Sequence, residues 1–155
     1  MIFLLIAVFS DTHGDNTAML NILENNPEIK ACIHCGDVAD DIDAIKMCFP
    51  RLIVLGVRGN NDFFTDYPKE IISELGGMKF FITHGHRYAV KMGDRVVQFE
   101  SRSHRCNVCV YGHTHRESLK TEDDGLIVLN PGSSRDGGTY ALIDTETKQV
   151  TINNI

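Results

Sequence analysis

Five short apolar runs in this chain each end in a polar cluster that contains or meets a glycine, and this repetition constrains the fold more than any other feature. Residues 2–9 run into Ser10-Asp11-Thr12-His13-Gly14, 31–34 into Cys35-Gly36-Asp37, and 52–57 into Arg58-Gly59-Asn60-Asn61-Asp62. Residues 78–83 run into His84-Gly85-His86, and 107–111 into Gly112-His113-Thr114-His115. A run of four to eight apolar residues bounded by turn residues reads as a buried strand. In an open α/β sheet the C-terminal strand ends form the crevice where ligands bind. Glycine at 14, 36, 59, 85 and 112 lets the chain turn sharply or approach a ligand closely there. One loop with Asp and Gly is commonplace. Five in succession gather carboxylates, an asparagine and imidazoles, the oxygen and nitrogen donors of a divalent-metal site.

The segments between these runs set the fold class. Residues 17–25 place Met19, Leu20, Ile22 and Leu23 at helical spacing, and Pro27 follows as a stop. Residues 42–49 read as a second helix, and 93–104, carrying Val96, Val97 and Phe99, as a third. Strand, helix, strand, helix, strand over the first 57 residues argues for crossovers and a parallel sheet. Beyond them, 70–75 and 78–83 flank Gly76-Gly77, a hairpin signal. Further strands are expected at 117–121, 126–129, 139–144 and 150–153, so the second half reads as strand-rich and largely antiparallel. Two packed sheets with helices outside satisfy both halves. With 155 residues, 43% hydrophobic and 23% charged, the chain is expected to form one domain, residues 1–155.

Charge and cysteine usage narrow the function. The net charge of −6, the absence of Trp and the lack of a basic tract disfavour a polynucleotide partner. The apolar run over residues 1–9 is too short to span a membrane and has no basic segment ahead of it. Five cysteines without a signal peptide point to free thiols in the cytoplasm. Cys32/Cys35 and Cys106/Cys109 have Cys-x-x-Cys spacing. In a strand, however, residues three apart point to opposite faces, so both pairs are expected in the core, as is Cys48. His34 and His104 read as structural or solvated. Asp40, Asp41 and Asp43 read as helix N-terminal charge favoured by the dipole, and Asn130-Pro131-Gly132-Ser133 either as part of the pocket floor or, more plainly, as a turn between strands.

Taken together, Asp11-Thr12-His13, Gly36-Asp37, Gly59-Asn60-Asn61-Asp62, His84-Gly85 and Gly112-His113-Thr114-His115 resemble the five signature blocks of the calcineurin-like metallophosphoesterases. The short length, Thr12 and Asn130-Pro131-Gly132-Ser133 are similar to the family's small single-domain phosphodiesterase branch. The likeness spans about residues 2 to 143. It implies an α/β fold, a four-layer αββα sandwich of two mixed β-sheets flanked by helices. Carried over position by position, it implies one divalent ion held by Asp11, His13, Asp37 and His115. A second would be held by Asp37, Asn60, His84 and His113, with Asp37 bridging the two. The implied reaction is hydrolysis of small phosphodiesters by a hydroxide bridging the ions, with Asp37, Asn60, His84 and His86 as the expected catalytic residues. Mn²⁺ is the expected metal, with Fe²⁺, Co²⁺, Ni²⁺ or Zn²⁺ as alternatives. A homodimer is expected only from the habit of family members of this size.

The chain departs from the family at one place. Many members have His where Asn61 stands, acting near the leaving group. Asparagine can donate a hydrogen bond to an oxyanion but delivers no proton at neutral pH. The expected consequence is weak activity on alkyl monoesters and better activity on diesters with good leaving groups. His86 is either a substitute acid or a hydrogen-bonding support for the metal site. Arg58 is either a charged fork for the substrate phosphate, with Asn61 beside it, or the partner of a surface carboxylate. The alternative to an enzyme is a catalytically silent protein-binding scaffold of the same fold, a role the resemblance also contains. All seven ligand positions hold a donor here, which favours the enzyme.

Overall fold

The computed structural model describes residues 2–155; Met1, where the first apolar run begins, lies outside the described residues. That run forms β1 (Leu5–Phe9), the central strand of a sheet, and it is buried on both faces. Side chains alternate along a strand, so Ile6 and Val8 point to one side and Ala7 and Phe9 to the other, each into a separate apolar cluster. Burial on both faces explains why the run is apolar without alternation.

After β1 come α1 (Thr17–Asn25), β2 (Ile29–His34), α2 (Asp40–Cys48) and β3 (Ile53–Gly56). The hairpin β4 (Glu70–Leu75) and β5 (Met78–Thr83) follows, then α3 (Arg95–Ser103) and β6 (Val108–Val110). The chain ends with β7 (Ser118–Thr121), β8 (Ile127–Asn130), β9 (Thr139–Asp144) and β10 (Gln149–Asn154). One sheet has the order β10-β9-β1-β2-β3 and the other β4-β5-β6-β8-β7. Each is mixed, with three parallel strands, β1-β2-β3 in one and β5-β6-β8 in the other.

The two sheets meet through Ile6, Val8, Ala31 and Ile33 on one side and Phe80, Ile82, Val108, Val110 and Leu129 on the other. Met19 and Leu23 of α1 and Ile45 of α2 cover the outer face of the first sheet. Val97 of α3 covers Phe81, Cys109 and Val128 on the outer face of the second. The result is the four-layer αββα sandwich. Among the described residues no helix is long and apolar enough to cross a membrane.

Several expectations are corrected. The first strand begins at Leu5 rather than at residue 2, because Leu5 already meets Ile29 and Asp144, the ends of both partner strands. The second half is largely antiparallel as expected, in β4-β5, β7-β8 and β9-β10, but β6 lies parallel to β5 and β8, and β9-β10 return to the first sheet. Of the three apolar residues expected to anchor α3, only Val97 is buried, while Val96 and Phe99 face solvent. Cys32 and Cys35 do fall in different core clusters, whereas Cys106 and Cys109 share one, since Cys106 precedes the strand and escapes its alternation. Cys48 is exposed at the end of α2 rather than buried, and all five thiols are free.

Candidate metal centre

The loops leaving β1, β2 and β3 carry Asp11, His13, Asp37 and Asn60, and those leaving β5 and β6 carry His84, His113 and His115. The strand ends of both sheets thus meet over one place. Five of the seven residues have a backbone in the left-handed region: Asp11 (φ 54°), His13 (49°), Asp37 (50°), His113 (69°) and His115 (63°). Residues other than glycine rarely adopt it and persist there when the surroundings over-determine them. Here the loops lace together. Asp11 N–H donates to Gly36 O at 2.9 Å, His13 N–H to Asp37 O at 3.0 Å, and Gly112 N–H to His84 O at 3.0 Å.

Asp11 identifies what the place is for. Its Oδ2 accepts from Ser10 Oγ at 2.6 Å and from His113 N–H at 2.9 Å. Its Oδ1 is buried with no hydrogen-bond partner. That oxygen faces three imidazole nitrogens, His115 Nε2 at 3.3 Å, His13 Nε2 at 3.7 Å and His84 Nε2 at 3.8 Å. A buried carboxylate oxygen left unpaired is costly. A cation among these donors removes that cost.

His84 makes the same point. Its Nδ1–H donates to Cys35 O at 2.7 Å, which leaves Nε2 as the lone-pair nitrogen. Nε2 lies 3.0 Å from Asn60 Oδ1, 3.2 Å from His113 Nδ1 and 3.4 Å from Asp37 Oδ2. Lone pairs crowded this closely need a proton or a metal ion among them. Burial alone would push the His84 imidazole down, but its contact with Asp37 and the Asp11 charge more than reverse this and raise it. Burial likewise pushes Asp37 up, yet His84 and the two Asn61 N–H donors hold it well below the usual carboxylate range. Carboxylate, amide and imidazole donors together suit divalent transition metals, so the residues fit the ions that the resemblance implies.

Two ligand groups stand out, Asp11-His13-His115 and Asp11-Asp37-His84. Asp11 is in both groups, and Asp37, to which the resemblance gives the bridging position, is in the second. Asn60 and His113 join the second group through His84.

The residues outside the ligand groups divide. Asn61 is exposed and turned back onto Asp37, its N–H 3.1 Å from Oδ1 and its side-chain amide 2.8 Å from Oδ2. Arg58 has no carboxylate partner among the described residues. His86 sits with its ring 5.4 Å from that of His84 and 6.0 Å from that of His113. Its Nδ1 is buried with no hydrogen-bond partner, so that nitrogen makes no supporting bond to the ligands. Burial first, then the His84 charge, push His86 below its ordinary range.

Sequence reasoning missed most of the supports. Asp62 is buried and accepts from Gly59, Ala39 and Asp37 N–H at 2.7, 2.8 and 3.0 Å, pinning two ligand loops to one carboxylate. Asp41, expected only as dipole charge, is buried and accepts from Thr12 Oγ1, from Gly14 N–H at 3.2 Å and from Asn16 Nδ2 at 3.0 Å. His34 completes this network by accepting from Gly36 N–H and contacting Thr12 Oγ1 at 3.0 Å. Asn130 donates to Gly112 O and Thr114 Oγ1, and Ser133 to Asp11 O, so the expected turn also buttresses the centre. The one sequence signal for Asp62, Asp41 and His34 was their position, within a few residues of a ligand.

Comparison with known proteins agrees with this geometry. A 33% identical relative, over 132 residues covering 83% of this chain and 77% of the relative, is named a probable metallophosphoesterase of Mycoplasma pneumoniae. A 29% identical relative, covering 93% of this chain and 95% of its own length, is named phosphodiesterase MJ0936 of Methanocaldococcus jannaschii. Among solved structures, a Vps29 of Entamoeba histolytica complexed with Zn²⁺ has the same fold at 20% identity, with a TM-score of 0.76 over 97% of this chain and 98% of that one. The model of the calcineurin-like phosphoesterase superfamily domain matches residues 4–148, and the chain belongs to that superfamily.

Proposed function

We propose that this chain, as a single domain, is a metal-dependent phosphodiesterase that hydrolyses small phosphodiesters. The observation that carries the reading is the buried, unpartnered Asp11 Oδ1 facing three imidazole nitrogens. It is supported by a relative named as a phosphodiesterase. Asp11, His13, Asp37 and His115 would hold one divalent ion, and Asp37, Asn60, His84 and His113 a second, with Mn²⁺ the ion we expect. When bound, such a pair supplies positive charge at the phosphoryl oxygens and lowers the pKa of water.

The chain's own residues do the rest. Asp62 and Asp41 hold the ligand loops in register, so that little reorganisation accompanies binding. Asn61 can turn its amide from Asp37 to an ester oxygen and donate a hydrogen bond, but not a proton. Arg58, free of carboxylates, is available as a fork for a phosphate oxygen. His86, beside His84 and His113, is the candidate to hold a proton for a departing alkoxide. Because Asn61 delivers no proton, a leaving group that departs without one is preferred, which favours diesters with acidic leaving groups. The free thiols agree with a reducing, cytoplasmic setting.

Hydrolysis of a bis-aryl phosphodiester and of the matching aryl monoester, with Mn²⁺ and with chelator, tests this beside Asp37→Asn. The expected result is metal-dependent turnover that favours the diester and disappears in the variant. Monoester turnover as fast or faster would mean that the site delivers a proton, with His86→Ala the variant to try next. The likeness to Vps29, a protein named for sorting rather than hydrolysis, favours a second reading as a silent scaffold. Because that structure also holds Zn²⁺, metal binding does not separate the two readings. No turnover with any divalent metal by folded protein would leave the scaffold.

A further inference from the structure

The loop after β3 carries Asn60, Asn61 and Asp62, then two phenylalanines that nothing covers. Phe63 is 77% exposed and Phe64 103%. The loop is closed at its base, where Arg58 N–H donates to Pro68 O at 2.9 Å. Its first half is fixed by the three bonds to Asp62 and by Asn61 on Asp37. Its second half is fixed by Tyr67, whose hydroxyl donates to Asp43 Oδ1 at 2.5 Å and whose ring lies 4.7 Å from Lys46 Nζ. A loop with closed ends and its own anchors is compact, and the two rings stand at its apex.

Their distance from the centre follows from the chain. Consecutive Cα atoms lie about 3.8 Å apart, so the Cα of Phe63 is within about 8 Å of that of Asn61. The Asn61 amide itself lies 2.8 Å from Asp37 Oδ2. That span matches one ester arm of a phosphodiester whose phosphate sits at the centre. Exposed apolar surface beside a site marks a contact surface, and its surroundings select the occupant. On the Phe64 side a cavity of about 440 Å³ is lined by Asp40, Asp43 and Asp66, with Lys46 as its one cation. Those carboxylates repel a polynucleotide backbone or an anionic lipid surface. A neutral ring meets no such penalty, and phenyl side chains stack well on planar rings.

We propose that Phe63 and Phe64 form the arm-binding surface of the site and select phosphodiesters whose ester arm bears a neutral aromatic ring, such as a phenyl group or a nucleobase. This rests on the phosphodiesterase reading and names its substrate class.

Diphenylphosphinate and dimethylphosphinate test it, because each carries one negative charge and two arms but no ester bond, so binding reads the arms without turnover. Both are titrated calorimetrically into Mn²⁺-loaded wild type and into Phe63→Ala/Phe64→Ala, whose exposed positions leave the fold intact. Diphenylphosphinate is expected to bind the wild type at least about tenfold tighter, as for other rings stacked on aromatic side chains. The ratio is expected to fall toward one in the variant. Equal affinities in the wild type, or a ratio that the variant keeps, overturn the inference. A ratio that collapses in the variant while bis-aryl diesters are not hydrolysed supports the arm surface and overturns the phosphodiesterase reading instead. A wild-type dimer that the variant loses, with equal phosphinate affinities, assigns the rings to a second copy and overturns the inference.

Discussion

Gly59 shows how little room the centre leaves at the level of one atom. A Cβ there would overlap Asp37 Oδ1, so alanine must displace a candidate ligand. Gly59→Ala is therefore expected to lower Mn²⁺ affinity at least about tenfold in a calorimetric titration. The accompanying loss of stability is about 1–3 kcal/mol. Affinity equal to wild type would remove Asp37 from the ligand set. His34 gives a second prediction, in pH. Burial pushes its imidazole down to about 4, with the Asp41 charge only partly opposing. Between the unfolded value near 6.5 and that folded value, the unfolded chain takes up a proton that the native protein refuses. The contribution of His34 is thus whole above pH 6.5 and is lost as pH falls toward 4. From pH 7 to pH 5 the chelated wild type should lose about 2 kcal/mol more than His34→Gln in urea unfolding. Parallel losses would mean that His34 is protonated when buried. What the sequence revealed at this scale was donor chemistry: Asp11, His13, Asp37, His84, His113 and His115 are each chemically marked and sit after strands. Asp62 and Asp41 were not legible as supports, because Asp37 and Ala39 N–H for the one, and Thr12 and Asn16 for the other, arrive from other loops.

Elements were legible where periodicity or a turn dipeptide spoke plainly. The helix over 17–25, the hairpin around Gly76-Gly77 and the strand over 139–144 have the expected bounds. The membership of that last strand was not legible. Its pairing of Asp144 with Leu5 joins opposite ends of the chain, and no local pattern encodes it. The 3₁₀ turns His86–Tyr88 and Val90–Met92 were also missed, being too short to show a period. For α3, apolar residues and helix agree, but the face was wrong: Val97 is buried and Val96 and Phe99 are not. This has a direct consequence for stability. Val97→Ala removes two buried methyl groups beneath the second sheet and should cost about 2 kcal/mol. Val96→Ala and Phe99→Ala should each stay within about 0.5 kcal/mol of wild type, as exposed positions do. Denaturant midpoints of the three variants check this. A loss at Phe99 as large as at Val97 would mean that another surface covers that face.

At the scale of the molecule, the centre joins two sheets whose facing sides meet through an apolar cluster. Asp11, His13, Asp37 and Asn60 come from the sheet of β1–β3, and His84, His113 and His115 from the sheet of β5, β6 and β8. An ion held by both sets binds the native state alone, because the unfolded chain brings neither set together. Its binding energy therefore adds to folding energy, by about 2.7 kcal/mol when free metal is at 100 times its dissociation constant. For a domain of this size that corresponds to a rise in melting temperature of roughly 5–10 °C. Mn²⁺ added to chelated protein should produce such a shift, and chelator should reverse it. The variants then separate within-sheet from between-sheet ligation. His13→Ala and His115→Ala each remove one imidazole of the group that Asp11 completes, from opposite sheets, and each should remove most of the shift. If His13→Ala abolishes the shift but His115→Ala and His84→Ala preserve it, the metal is held by the first sheet alone. The second sheet would then stabilise the fold only by its apolar face, and the centre would not depend on the two halves being docked.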